Sequence, residues 1–134
     1  MTRILIADDD KSIREMLTMM LESFDYEVLS VEDGIEALDR LNSAQGRLVV
    51  ILDICMPRLN GRELLQEVAN DPVLSVRHRY ILLSASNNLT PSKLGTIPFP
   101  ITIIPKPFSM DELLDAVDKA SQALTAPMPA IAHC

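Results

Sequence analysis

The stretch Val49-Val50-Ile51-Leu52-Asp53-Ile54-Cys55-Met56-Pro57 decides how the rest of the chain is arranged. Four apolar residues with strand character run straight into one carboxylate, and Met56-Pro57 ends the run. A continuous apolar run of this length, bounded by a proline, predicts a strand buried on both faces. In an open parallel sheet such a strand delivers Asp53 to the carboxyl-terminal edge, where ligands bind. An aspartate at that place can be a nucleophile, a metal ligand, a helix cap or a residue with no special role.

The flanking sequence alternates strands and helices. Arg3-Ile4-Leu5-Ile6-Ala7 reads as a strand ending in Asp8-Asp9-Asp10. Ile13, Met16, Leu17, Met20, Leu21 and Phe24 then form one helical stripe, and Ser12 with Glu15 resembles a capping box at its start. Tyr26–Val31 is a second strand, broken by Asp33-Gly34, and Ile35, Leu38 and Leu41 mark a second helix. The central strand, Leu48–Asp53, is followed by a loop through Asn60-Gly61. Leu64, Leu65 and Val68 then mark a third helix, which Asn70-Asp71-Pro72 stops. Tyr80–Leu83 is a fourth strand ending in Ser84-Ala85-Ser86, and Ile101–Ile104 a fifth, followed by Pro105-Lys106-Pro107-Phe108. A last helix starts near Ser109, with Asp111 and Glu112 in its first turn, where the helix dipole favours acids.

This order predicts an α/β fold, a parallel sheet with helices on both faces. One crossover departs from it. Between the fourth and fifth strands lie Pro91, Gly95, Pro98 and Pro100, and a helix interior tolerates proline poorly, at about 3 kcal/mol. The fourth helix is expected to be missing or shortened, with only Thr90–Leu94 able to form a turn and Pro91 as its first residue.

The 134 residues fit one domain, expected over residues 1–124, followed by a mobile proline-bearing tail, 125–134. The net charge of −7 argues against direct nucleic-acid binding through a basic surface. Cys55 and Cys134 have no metal-type spacing and read as free thiols of a reducing compartment. The start leads directly into strand pattern with no leader, and no apolar run is long enough to span a bilayer, so no membrane is expected and the location expected is cytoplasmic.

A parallel sheet gathers the ends of its strands on one edge. Asp8 and Asp9, Asp53, Ser84 and Lys106 all lie at such ends. Each has an ordinary alternative: any of Asp8, Asp9 and Asp10 can cap the first helix, and Asp10 is read as that cap. Ser84 alone would be a turn residue and Lys106 alone a solvated charge. Their coincidence is harder to explain that way. Together they suit phosphoryl transfer. A carboxylate can attack phosphorus and form an aspartyl phosphate, a reaction that needs mainly positioning and charge neutralisation. Asp8, Asp9 and Asp53 offer oxygen ligands for Mg2+, Lys106 a point charge for a phosphoryl group, and Ser84 a hydroxyl donor.

In these pieces the chain resembles the receiver domain of two-component response regulators. They are Ile6-Ala7-Asp8-Asp9-Asp10, Leu52-Asp53-Ile54-Cys55-Met56-Pro57 with Asn60-Gly61, Ser84-Ala85 and Lys106-Pro107-Phe108. The resemblance implies a flavodoxin-like, doubly wound five-stranded sheet of order 2-1-3-4-5. It implies that Asp53 accepts a phosphoryl group from a phosphohistidine on a sensor histidine kinase or a histidine phosphotransfer protein, with Ser84 and Lys106 assisting. It also implies that Asp8, Asp9, Asp53 and the backbone carbonyl of Cys55 hold Mg2+, and that the Lys106-Pro107 bond is cis. The protein would then catalyse only its own phosphorylation and dephosphorylation, and signal by docking a downstream protein or passing phosphate along a relay.

The chain departs from that pattern at Ile103, where the family usually has an aromatic residue, and in the proline-rich crossover. Output through another surface, or through a change of order in residues 86–100, is the resulting expectation. Cys55 and Ser86 occupy positions that tune water attack in the family; neither can orient a water well, so a long-lived phosphoryl group is expected. With ten residues after Leu124, a stand-alone receiver is expected. The alternatives are a receiver-like interaction module that is never phosphorylated, and an aspartyl-phosphate phosphatase. The latter is disfavoured because its Asp-x-Asp motif would need an acid where Cys55 stands.

Overall fold

The five strands form one parallel sheet of order β2-β1-β3-β4-β5. The computed structural model describes residues 2–85 and 89–125. In chain order the elements are β1 (Arg3–Ala7), α1 (Lys11–Glu22), β2 (Glu27–Val31), α2 (Gly34–Ser43), β3 (Leu48–Asp53), α3 (Gly61–Ala69), α4 (Pro72–Arg77), β4 (Arg79–Ser84), β5 (Ile101–Pro105) and α5 (Met110–Thr125). Central strand β3 is buried at every position, as its unbroken apolar run requires.

Alternation along each strand sorts the core into two layers. Ile4, Ile6, Val49, Ile51, Ile81 and Leu83 meet Leu17 and Leu21 of α1 and Leu113 and Val117 of α5. Leu5, Val50, Leu52 and Leu82 meet Ala37 and Leu41 of α2 and Leu64, Leu65 and Val68 of α3. Burying a leucine or isoleucine in such a layer contributes about 1.5–3 kcal/mol. A substitution such as Ile51→Ala in the centre would cost about 2–5 kcal/mol.

Two local expectations are corrected. Asp10 caps α1 as expected, its side chain accepting from the backbone N–H groups of Ser12 and Ile13, but the box of Ser12 with Glu15 does not form, because the helix already begins at Lys11. Asn70-Asp71-Pro72 ends α3 but also opens α4. There Asp71 accepts from the N–H groups of Val73 and Leu74, and Pro72 sits in the first turn, where a missing N–H costs nothing. Between β4 and β5, among the described residues, the helical structure is a single 3-10 turn, Pro91–Leu94, consistent with the prolines around it. The expectations for Ser86, for Cys134 and for a mobile tail beyond Thr125 lie outside the described residues.

A candidate phosphoryl-transfer site at the sheet edge

Asp8 and Asp53 are neighbours because of strand register. Ala7 pairs with Leu52 across β1 and β3, so the next step places Asp8 beside Asp53. Asp53 ends β3, and Asp8 follows β1. Strand parity puts both on the α1/α5 side, in line with Ile6 and Ile51. Lys106 follows β5 with the parity of Ile104, and so reaches the same side. Ser84 has the opposite parity, that of Leu82, and approaches from the α3 side.

The resulting cluster is charged and largely enclosed. Carboxylate oxygens of Asp8, Asp9 and Asp53 lie within 4.8 Å of one another. Lys106 Nζ is 3.4 Å from Asp53 Oδ1 and 4.0 Å from Asp8 Oδ2. Asp8, Asp53 and Ser84 are buried, whereas Asp9 is exposed. The Asp8 carboxylate accepts at Oδ1 from the Asp10 backbone N–H at 2.9 Å, while its buried Oδ2 has no hydrogen-bond partner. Burial pushes the Asp8 carboxyl above the ordinary carboxylate range, and the charges of Asp53 and Asp9 push the same way; the Asp10 N–H and Lys106 oppose them.

That donor set fits a hard divalent cation. Three carboxylates in mutual contact distance repel one another, and one of them keeps an unsatisfied buried oxygen. Mg2+ takes oxygen ligands from one or two carboxylates and retains waters and phosphate oxygens as the rest. Asp53 also accepts at Oδ1 from the Cys55 backbone N–H at 3.3 Å.

The loop after Asp53 is tied down on both sides. The Gly61 N–H donates to the Ile54 carbonyl at 3.0 Å. A Cβ on Gly61 would come within 2.7 Å of the Asp53 carbonyl oxygen, so only glycine lets α3 start so close to the acceptor strand. Arg58, with φ of 67°, pairs with Asp33 at 3.1 Å, fastening the loop to the start of α2. On the opposite flank the Lys106 N–H donates to the Ser84 carbonyl at 2.6 Å, and the Lys106-Pro107 bond is cis, as the resemblance implied.

All five side chains expected at the strand ends are therefore at this one edge. Sequence reading missed Arg14, which donates to the Asp8 backbone carbonyl at 2.8 Å, and Arg58 with Asp33. Arg14 lies four residues beyond Asp10 on α1, a position that helix phase could have placed near Asp8; nothing local marks the Arg58–Asp33 pair.

Comparison with known proteins gives a consistent result. The family model described as the response regulator receiver domain matches residues 4–118. A transcriptional regulatory protein, the CpxR homolog of Haemophilus influenzae, is 35% identical over 117 residues, covering 85% of this chain and 48% of that protein. The chain thus spans about half the length of the curated relatives it matches. Among solved structures, the response regulator TrrA of Thermotoga maritima in complex with Mg2+-BeF is 35% identical, with a TM-score of 0.75, covering 90% of this chain and 99% of that one. The chemotaxis protein CheY4 of Vibrio cholerae is 28% identical, with a TM-score of 0.72, covering 90% of this chain and 98% of that one.

Proposed function

The chain belongs to the response regulator receiver domain family, the receivers of two-component signalling, and on that premise we propose that Asp53 is its phosphoacceptor. The observation that carries this reading is the placement of Lys106 Nζ against both Asp53 and Asp8, inside a triad of carboxylates at the sheet edge.

An Asp53 carboxylate oxygen attacks the phosphorus of a phosphohistidine on a sensor kinase or phosphotransfer protein. The phosphorus–nitrogen bond breaks, and the imidazole leaves with its electron pair. The ammonium of Lys106 offsets charge on the transferred group, and the Ser84 hydroxyl donates a hydrogen bond to one of its oxygens. Asp8, Asp9, Asp53 and the Cys55 carbonyl would hold Mg2+, which supplies further charge neutralisation. The Cys55 N–H keeps Asp53 aimed at the incoming group. The protein acts on no other substrate; its output is contact with a downstream protein or onward transfer. Cytoplasmic location is part of this reading. Among the described residues no helix is long and apolar enough to cross a membrane.

The usual output segment is replaced here by the Pro91–Leu94 turn, and Ile103 takes the usual aromatic position. We place output on another surface, or on a change of order across residues 86–100. Incubation with acetyl phosphate and Mg2+ followed by intact-mass measurement tests the acceptor assignment. A gain of one phosphoryl group, abolished in Asp53→Asn, is expected; no gain with any donor overturns the reading.

A further inference from the structure

The pair of Arg58 with Asp33 joins the acceptor loop to the start of α2. Asp33 is the fixed end of that pair. It caps α2, accepting at Oδ1 from the Glu36 N–H at 2.9 Å, and the Glu36 carboxylate accepts in turn from the Glu32 N–H at 3.2 Å. Ala37 and Leu41, on the next two turns of α2, are fully enclosed in the core. The cap is therefore tied to the packed interior and has little room to shift.

The acceptor loop rests on that cap. A Cβ on Gly34 would come within 1.9 Å of the Leu59 carbonyl oxygen, so the loop backbone and the helix start lie against each other. The second Asp33 oxygen, Oδ2, accepts from Arg58 Nη1 at 3.1 Å. Arg58 makes this contact from a left-handed backbone, φ 67°, which is unfavourable for any residue with a side chain. The base of the loop is held separately: the Ile54 N–H donates to the Leu83 carbonyl and the Gly61 N–H to the Ile54 carbonyl, each at 3.0 Å. Between the base and Arg58 lies Cys55, whose N–H donates to Asp53 Oδ1.

We propose that Arg58 and Asp33 are positioning residues for the divalent cation: their pair sets where the acceptor loop stands and, through Cys55, the ligand geometry at Asp53. The inference rests on the Mg2+ reading above and adds two residues that are not among the ligands. Mg2+ demands near-ideal octahedral geometry, so a small shift of one ligand is felt in the affinity. Groups that orient ligands without touching the metal govern affinity for that reason. Charge alone gives the opposite sign for Arg58. It is a cation in the acceptor loop, and by Coulomb attraction its removal would tighten Mg2+ binding. Loss of loop position weakens it. Arg58→Gln separates the two, since glutamine at φ 67° is as strained as arginine and only the ion pair is lost. Asp33→Asn removes the charge but keeps an oxygen able to cap α2.

The test is isothermal titration with Mg2+ of the native chain, Arg58→Gln, Arg58→Lys, Asp33→Asn and the double variant Arg58→Gln with Asp33→Asn. The Arg58 side chain is 61% exposed, so the fold should survive its replacement, and urea unfolding in EDTA checks this. Arg58→Gln and Asp33→Asn are each expected to bind Mg2+ about tenfold more weakly. The double variant should fall within about twofold of either single variant, because both remove the same pair. Arg58→Lys restores a charge to a contact made through one nitrogen, and should bind within about twofold of the native chain. Arg58→Gln binding Mg2+ as tightly as the native chain or more tightly, or losses that add in the double variant, overturn the positioning role while leaving the metal reading in place. A native chain that binds no Mg2+ overturns both. Phosphoryl uptake on Asp53 is followed separately by intact mass, so a failure of the acceptor assignment is distinguished from a failure of this role.

Discussion

Lys106 Nζ lies 3.4 Å from Asp53 Oδ1, although 53 positions separate the two residues in the chain. The ammonium competes for the same carboxylates that would hold a divalent cation, since it is also 4.0 Å from Asp8 Oδ2. Lys106→Met is therefore expected to bind Mg2+ several-fold more tightly and to take up phosphoryl about tenfold or more slowly. Isothermal titration and phosphorylation rates check the two halves. Weaker Mg2+ binding in the variant would contradict the electrostatic account.

Asp8 carries a cost in the metal-free protein. Its folded carboxyl titrates above the ordinary aspartate value of 3.8, chiefly through burial. The folded state thus binds its proton more readily than the unfolded chain. Asp8 alone makes stability rise as pH falls through the window above 3.8, and its charged form destabilises at neutral pH. Asp8→Asn keeps an oxygen able to accept from the Asp10 N–H. In EDTA at pH 7 it is expected to melt about 2–4 °C higher than the native chain. Addition of Mg2+ should reverse the order, because the native chain alone keeps the full ligand set. Calorimetry in EDTA and in Mg2+ checks both signs.

His78 should give the opposite pH dependence. It caps the end of α4, is almost fully enclosed, and accepts at Nδ1 from the Leu48 N–H at 2.9 Å. Burial, with Arg77 and Arg47 nearby, pushes its imidazole down from 6.5 to about 4. The unfolded chain then binds the proton more readily. The stability present above pH 6.5 is lost as pH falls toward 4, by up to about 3 kcal/mol. His78→Leu should remove that slope, while losing about 1–3 kcal/mol at pH 7 because the Leu48 N–H is left unpaired. Urea unfolding between pH 7 and pH 4 checks this; parallel curves for the two proteins would refute it.

The phosphoryl group on Asp53 is expected to be long-lived. Cys55, exposed two residues beyond the acceptor, offers no amide or carboxylate to orient an attacking water. Cys55→Asn is expected to shorten the lifetime about tenfold. Following the intact mass after removal of the donor measures both lifetimes. Loss of the label from the native chain within seconds would contradict the expectation.

The strands and their ends were legible because burial leaves a local mark. The run from Val49 to Leu52 can be satisfied only between two layers, and the same holds for Ile4–Ile6 and Ile81–Leu83. Once a parallel sheet is inferred, Asp8, Asp9, Asp53, Ser84 and Lys106 must share an edge. The prolines around the Pro91–Leu94 turn were equally readable, because proline acts on its own backbone.

Capping was less legible. Asp10 is readable as the cap of α1, but Ser12 with Glu15 offers a competing capping box, and only the position of the first helical turn rules that box out. The helix α4 was missed because Asn70-Asp71-Pro72 serves equally as a stop and as a start; Pro72 is read as a start only when Leu74 is seen to be buried.

By itself the sequence determined the strand and helix order, the parallel sheet, and which chemical groups its edge would carry, since these follow from local apolar periodicity and chain connectivity. The tertiary structure alone decided that Lys106 reaches both Asp53 and Asp8, that Arg58 clamps Asp33, and that Gln66 holds the 3-10 turn through the Leu94 carbonyl. Each of these contacts joins residues 25 or more positions apart through side-chain reach, and no local pattern in a sequence encodes where a long side chain will end.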